Sequence, residues 1–249
     1  MKKAIIITAS AIFLTFSTLS PVYADNQSQE VNLEEQEMFD YYETLLSSAL
    51  DLSQYEPQSD SLKGDFKASE PILDIEILGN DSTESKKLSI GMTYDEVISV
   101  LGNDYATYAD FENQVIKPGL GVTGEYKSSD GKILNLFFAN KVREDCLVKD
   151  SFLCGIWNNN SKGPSMAANL KIGSITAGSL FSDIMEAYGN PGTIGIDTEF
   201  DRSDGTQKMV YYLKLKYNWK SDKQIGDFTF NLDHDKVVYM GIGASINED

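Results

Sequence analysis

Residue types that build most catalytic and metal centres are scarce in this sequence. It contains one histidine and two cysteines in 249 residues. His234 is far in sequence from Cys146 and Cys154, which disfavours a metal site, and no nucleophile is evident for it in its predicted turn. Acids within 197–205 lack the order of an EF-hand loop, and we interpret them as a solvated turn. We therefore predict no catalytic residue, no metal and no cofactor.

Basic residues are also few. Lysine and arginine together number 21 against 38 aspartates and glutamates, which gives a formal net charge of −17. Such a surface repels nucleic acid and anionic membranes, and it favours solubility or a basic partner. We expect no nucleic-acid partner.

Long apolar runs are confined to the N-terminus. Lys2 and Lys3 precede an uncharged apolar stretch at 4–19, and residues 22–24 resemble a signal-peptidase site. The stretch is too short to cross about 30 Å of hydrocarbon, and no cysteine stands at the cleavage point to carry a lipid. We predict a signal peptide at 1–24 and a secreted chain, extracellular or cell-wall-associated, without a stable membrane anchor.

The two cysteines lie close together in sequence. The residues between Cys146 and Cys154 have apolar flanks and a polar centre, as a β-hairpin would. Outside the cytoplasm an even number of cysteines normally pairs. We predict a disulfide between them, and a redox-active or metal-binding role is the weaker alternative.

A glycine-to-glycine segment occurs twice, at 91–102 and at 178–189. Both copies contain an aromatic residue, an acid and paired apolar residues, and asparagine follows each at Asn103 and Asn190. Repetition at long spacing indicates a duplicated unit.

Each copy predicts a short helix. Thr93 with Glu96 three residues later forms a capping box at the start of the first helix. Ser179 or Ser182 is predicted to cap the second. The closing glycine of each copy is predicted to end its helix with left-handed backbone, which glycine adopts at little cost.

Strands are predicted after each helix, separated by turn residues. They span 105–111, 122–127, 133–139 and 142–148 in the first copy, and 193–200, 209–220, 228–232 and 237–242 in the second. A further strand is predicted at 72–78, followed by a loop at 80–87. The predicted fold is α+β: two tandem repeats, 72–160 and 161–249, each a short helical segment packed on a four-stranded antiparallel meander.

Residues 25–71 precede the repeats and are acidic. Apolar residues at three- and four-residue spacing predict an amphipathic helix at 34–52. Residues 53–71 are polar, contain two prolines and are predicted to be a linker. The apolar face of the helix packs either on the repeats or on a partner.

The segment 90–102 reads Ile-Gly-Met-Thr-x-x-x-Val-Ile-x-x-Leu-Gly. It resembles the signature of the β-lactamase-inhibitor-protein-like fold, a group that includes the small lipoproteins of the SmpA/OmlA type. The resemblance covers 86–246 and implies a helix packed on an antiparallel sheet, duplicated in tandem, in a secreted, non-enzymatic binding module. The inhibitor has a disulfide within each repeat, whereas only the first repeat here contains cysteines, and the lipoprotein's anchoring cysteine is absent. Inhibition of β-lactamase in particular is therefore not implied.

One predicted strand face is a candidate binding surface. Tyr212, Lys214, Lys216 and Lys220 alternate with apolar residues along 209–220. Such a stripe is either the solvated side of a sheet or a binding face. We predict that it contacts another extracellular protein, with the chain acting as an inhibitor or accessory factor of an extracellular or cell-wall enzyme. The alternative is an envelope-associated enzyme whose active site the sequence does not reveal.

Overall fold

The computed structural model describes residues 33–79, 85–160, 162–201, 208–221 and 224–246. The predicted signal peptide at 1–24 lies outside these residues. Within them the chain is α+β, with three α-helices and mostly antiparallel sheet, which confirms the predicted class.

The elements follow one another in two similar series after an N-terminal region. That region contains α1 (Leu33–Ala49), β1 (Tyr55–Pro57) and β2 (Ser61–Gly64). The first series is β3 (Asp74–Leu78), β4 (Ser85–Ser89), α2 (Tyr94–Leu101), β5 (Tyr105–Ala106), β6 (Val115–Ile116), β7 (Gly121–Ser128), β8 (Ile133–Ala139), β9 (Cys146–Leu147) and β10 (Phe152–Trp157). The second is β11 (Leu170–Ile172), β12 (Ile175–Thr176), α3 (Phe181–Tyr188), β13 (Thr193–Asp201), β14 (Lys208–Lys220), β15 (Gln224–Asp233) and β16 (Lys236–Ile246).

A ten-stranded sheet joins both series, in the order β1-β2-β13-β14-β15-β16-β10-β8-β7-β5. The two series meet at the antiparallel pair of β10 and β16, with Gly155 opposite Gly243 and Trp157 opposite Gly241. A second sheet has the order β12-β11-β3-β4, and β6 pairs with β9.

Period-two alternation gives the large sheet two different faces. On β14, Leu213, Leu215 and Trp219 are buried, while Lys214 and Lys216 between them are only half-buried. The buried face packs on the helices: Tyr188 of α3 stacks on Phe230, and Tyr94 of α2 contacts Phe138 with ring centroids 5.4 Å apart. We call this the helix face, and the opposite side, which carries Lys214, Thr229, Gly241 and Trp157, the open face.

Both repeat helices end as predicted, but only the first begins as predicted. The Thr93 hydroxyl accepts from the Glu96 N–H, and the Glu96 carboxylate accepts from the Thr93 N–H at 2.8 Å. Gly102 and Gly189 have φ of 61° and 67°. The serine cap predicted for α3 is wrong: Leu180 is the N-cap, and Asp183 accepts from its backbone N–H at 2.7 Å. The acid at the third helical position thus supplies half of a capping box without a hydroxyl partner.

The N-terminal region packs on the second half of the large sheet. Tyr42 of α1 is fully buried and donates its hydroxyl to the Leu232 carbonyl at 3.0 Å. The predicted linker at 53–71 is wrong, because this stretch supplies β1 and β2, and Leu62 of β2 pairs with Ile194 of β13. β2 thus pairs with the edge of β13, and β1 pairs with β2. The polar residues of this stretch predicted a linker instead.

Three other loop and strand predictions are corrected. The loop predicted at 80–87 ends earlier, because β4 starts at Ser85 and pairs with β3. The strand predicted at 105–111 shortens to β5, and the fourth strand of the first half is β10 rather than 142–148. The strand predicted at 142–148 does not form at that length because Asn140 holds the chain in a loop: its side-chain amide donates to the Ile116 and Glu144 carbonyls at 2.8 Å each.

The predicted disulfide is wrong, since both thiols are free. Cys146 lies on β9, which pairs with β6 outside the large sheet, whereas Cys154 lies at an irregularity of β10 beside β8. A 3-10 turn at Val148–Asp150 separates the two strands, so they do not form the hairpin that a bridge would need. Burial raises the pKa of both thiols, which favours their protonated form.

Candidate functional site

The open face contains a groove of about 420 Å³ at its centre. Its floor includes Gly241 and Gly243 of β16, and Gly155 lies opposite Gly243 on β10. Glycine has no side chain, so the sheet backbone itself is exposed to anything that enters. The groove therefore lies at the junction of the two halves of the sheet.

Paired polar side chains form one wall of the groove. Lys214 Nζ lies 3.5 Å from Asp197 Oδ2, and the side-chain amide of Asn231 donates to the same oxygen at 2.8 Å. Asp227 lies 3.0 Å from Lys216 Nζ. Each lysine thus has an aspartate partner on the neighbouring strand, so this wall is polar but close to neutral.

Asn231 has an unused acceptor. The residue is 5% exposed and lines the groove, and its Oδ1 has no hydrogen-bond partner within the described part of the chain. A buried carbonyl without a donor costs about 1–3 kcal/mol. A donor brought by a ligand would recover this cost.

Trp157 forms the facing wall. Its indole is partly exposed and is supported by Phe137, with ring centroids 6.3 Å apart and a 32° tilt. A Cβ added at Gly155 would lie 2.6 Å from the indole, and one at Gly241 would lie 2.6 Å from the Trp157 Cβ. These two glycines therefore make room for the tryptophan. Gly243 differs, because an added Cβ would meet only the Cys154 carbonyl, at 3.8 Å.

The segment between β10 and β11 closes one end of the groove. Asn158 is buried and accepts from the Met240 N–H at 2.8 Å, while its amide donates to the Ala168 carbonyl at 2.7 Å. Ala167 packs against Tyr212 and Tyr239. This segment is thus fixed to the edge of the open face.

The four predicted binding residues have different surroundings. Tyr212 lies on the predicted face but is 2% exposed beneath Ala167, so its prediction as an accessible contact is wrong. Lys214 and Lys216 are on the open face but paired with aspartates, and Lys220 is exposed at the end of β14. The predicted basic stripe is therefore mostly neutralised by cross-strand acids that the sequence pattern of β14 alone does not show.

Glu199 of β13 lies at the groove's end, beside the lining residue Asn159. Burial raises the pKa of its carboxyl group, and the Asn159 amide, which donates to it at 3.2 Å, partly offsets that rise. Asp197, two residues earlier on the same face of β13, raises it further. Both acids belong to a strand rather than to the solvated turn inferred from the sequence.

Sequence reasoning missed Trp157, Gly241 and Gly243. The signal was present: Gly241 lies within the strand predicted at 237–242 and Gly243 directly follows it, and glycines in or beside a strand mark a close approach to the backbone. For Trp157 the sequence favours a linker between the repeats, because three asparagines follow it at 158–160.

His234 is separate from the groove. It is exposed at φ 56°, with Nδ1 2.7 Å from Asp233 Oδ1, and its ring contacts Tyr41. In the described ranges no group of three histidine, cysteine or acidic side chains is placed to hold a metal ion. Among the helices described, none combines the length and apolarity needed to cross a membrane.

The open face is thus a neutral, glycine-floored groove between an indole and an array of ion pairs. Comparison of the chain with protein-family models, with curated proteins and with solved structures found no match.

Proposed function

We propose that this chain is a secreted, non-catalytic binding protein that recognises another protein through its open face. The observation that carries the proposal is the groove at the centre of that face, with all three described helices packed on the other side. The charged side chains in the groove's wall are paired, Lys214 with Asp197 and Asp227 with Lys216, as in a preformed recognition surface.

The size of the open face supports a protein partner. Its seven strands of six or more residues, β13-β14-β15-β16-β10-β8-β7, span roughly 29 Å at about 4.8 Å spacing and are about 20–43 Å long. A stable interface needs about 800 Å² on each side, which is close to the area of this part of the face. The formal net charge of −17 favours a partner with a basic contact surface.

We infer further that the chain is a tandem duplication. Each half has a hairpin, a helix and four strands of the large sheet: β3-β4, α2 and β5, β7, β8, β10, then β11-β12, α3 and β13–β16. The halves meet where β10 pairs with β16 and where β11 pairs with β3, that is, between corresponding strands. Antiparallel pairing of corresponding strands is what an approximate twofold axis produces. The resemblance to the β-lactamase-inhibitor-protein-like fold supports the same arrangement and an inhibitory or accessory role.

An envelope-associated enzyme is the second candidate. The observation that favours it is the raised pKa of Glu199, since perturbed carboxyl groups concentrate at active sites. Glu199→Gln distinguishes the candidates. If Glu199 is catalytic, the variant should lose the enzymatic activity. If the chain is a binding protein, the variant should still bind its partner.

A plug in the groove tests the proposal. Gly243→Leu places a side chain where there is room at the Cβ, so the fold should persist while the groove is filled. Ser182→Leu adds a leucine at an exposed position of α3, on the other side of the sheet. We expect the partner captured by the wild-type chain from the medium of the source organism to bind Gly243→Leu at least about tenfold more weakly. Equal binding by both variants would reject the open face as the recognition surface.

A further inference from the structure

We propose that the central groove is a subsite for a neutral, hydroxyl-rich ligand, a saccharide, held between Trp157 and the ion-paired wall of β13, β14 and β15. This inference goes beyond the proposed function, because a protein partner would cover the open face whereas a saccharide would fill only the groove. It rests on the size, the charge, the unused acceptor and the aromatic wall of the groove.

The size of the groove fits one small ligand. Its volume of about 420 Å³ lies in the range of about 300–1,000 Å³ that is common for small-molecule sites. Gly241 and Gly243 leave the floor flat, so a planar ring can approach the sheet backbone closely.

The charge of the groove favours a neutral ligand. An anionic ligand would meet the Asp197 and Asp227 carboxylates on a chain of net charge −17. A cationic ligand would have to compete with Lys214, which already holds Asp197. A neutral ligand does not compete for the charged groups of either ion pair and brings no charge that would be buried without a partner.

The unused acceptor of Asn231 calls for a ligand that donates. Ionised carboxylates cannot supply a hydrogen to it, whereas a hydroxyl both donates and accepts. Asn231 Oδ1 is closed to solvent, so access requires a side-chain shift. Lys214 lies directly opposite Asn231 and is held by a contact of only 3.5 Å, so it is the neighbour best placed to make that shift. Once moved, its ammonium group can donate to a second hydroxyl.

The aromatic wall completes the site. A pyranose ring has a flat face of C–H groups that packs on an indole, and a tryptophan offers a large rigid surface for such contact. Phe137 supports the indole of Trp157, and the absence of side chains at Gly155 and Gly241 fixes the space it occupies. The indole is therefore positioned before a ligand arrives.

Titration of the purified chain with neutral oligosaccharides tests the inference. The panel contains β-linked glucose, N-acetylglucosamine and mannose oligomers and α-linked glucose oligomers, with oligogalacturonate as the acidic comparison. Trp157 reports binding by its fluorescence, because the other tryptophan, Trp219, is buried on the helix face. We expect saturable binding of at least one neutral oligomer and weaker binding of oligogalacturonate.

Two leucine variants locate the binding. Gly243→Leu should weaken the saccharide by at least about tenfold. Ser245→Leu, on the same strand and face but outside the groove, should change it by less than about twofold. Thermal unfolding of both variants verifies that they are folded.

The inference is overturned if no neutral oligomer binds at millimolar concentration, if Gly243→Leu binds as well as the wild type, or if a neutral extended peptide binds the groove in place of every saccharide. The two proposals fail separately. If a saccharide binds but no protein partner binds the open face, only the proposed protein-binding function is rejected. If Gly243→Leu blocks a protein partner but no saccharide binds the wild type, only the saccharide subsite is rejected.

Discussion

The two halves of the large sheet begin alike but are completed by different parts of the chain. In each half an eight-residue helix, α2 or α3, packs on the helix face. Such a helix is about 12 Å long, whereas β14 has thirteen residues and extends about 43 Å. Each helix therefore leaves a large part of its apolar sheet uncovered.

Different segments cover the remainder. In the second half α1 covers part of the helix face through Phe39, Tyr42 and Leu46, all buried, with Phe39 against Tyr211 of β14. In the first half, 3-10 turns place Phe111 and Val148 over the sheet, and both are buried. The comparison shows that sequence outside the repeated segment supplies the core that the short helices cannot. The N-terminal helix is thus part of the fold rather than a free recognition element.

The largest effect should come from removing the anchor of α1. Tyr42→Ala deletes a fully buried ring and its hydrogen bond to the Leu232 carbonyl, and should lower the free energy of unfolding by about 3–5 kcal/mol. Urea unfolding measures this, with Tyr41→Ala at a neighbouring exposed position as the control. Equal, small effects of the two variants would show that α1 does not contribute to the core.

The two closing glycines should respond alike, because this is where the halves match best. Valine at Gly102 or Gly189 would have no close steric neighbour, since the nearest atom to an added Cβ is Lys86 Nζ at 3.7 Å from Gly102. The cost is backbone strain at φ of 61° and 67°, and we expect each substitution to destabilise the chain by about 1–3 kcal/mol. Chemical denaturation of both variants measures this loss of stability. A large difference between them would show that the two helix ends are not equivalent.

The helix starts should respond in opposite directions. Thr93→Ala removes the cap of α2 and should cost about 1 kcal/mol. Leu180→Thr gives α3 the hydroxyl it lacks, next to an Asp183 already in place, and should add about 0.5–1 kcal/mol. Denaturation midpoints measured side by side decide the matter. A destabilising Leu180→Thr would mean that the exposed leucine side chain has a role in packing.

The smallest effect should depend on pH. The raised pKa of Glu199 means that the folded chain binds this proton more tightly than the unfolded chain does. Ionised Glu199 therefore reduces stability near neutral pH, and this penalty disappears as the pH falls below the ordinary glutamate range. Glu199→Gln should raise the melting temperature at about pH 7 and leave it nearly unchanged at about pH 4. A rise of equal size at both values would trace the effect to packing instead of ionisation.

Local signals predicted local structure well. The Thr93–Glu96 capping box, the positive φ of Gly102 and Gly189 and the alternation along β14 are all encoded within a few residues of one another. The strands of the second half were close to the predicted ones for the same reason, because each carries its own period-two pattern.

Predictions that depended on distant partners were the ones that failed. Residues 53–71 became strands because β13 offered an edge, and Tyr212 became buried because Ala167 packs on it. The aspartates that neutralise Lys214 and Lys216 lie on neighbouring strands. The cysteines are separated by the 3-10 turn at Val148–Asp150, whose first residue donates its N–H to the distant Gln114 carbonyl. None of these contacts is visible in a single stretch of sequence. The groove itself arises from pairing β10 with β16, two strands from opposite halves.

Lysine reactivity with and without the bound partner tests the central claim most directly. Acetylation followed by mass spectrometry compares Lys216 and Lys220 on the open face with Lys149 in the turn that packs near α2 and Lys236 beside the start of α3. If the open face recognises the partner, Lys216 and Lys220 should lose reactivity in the complex while Lys149 and Lys236 keep theirs. Protection of Lys149 and Lys236, with Lys216 and Lys220 still reactive, would place the partner on the helix side and contradict the account.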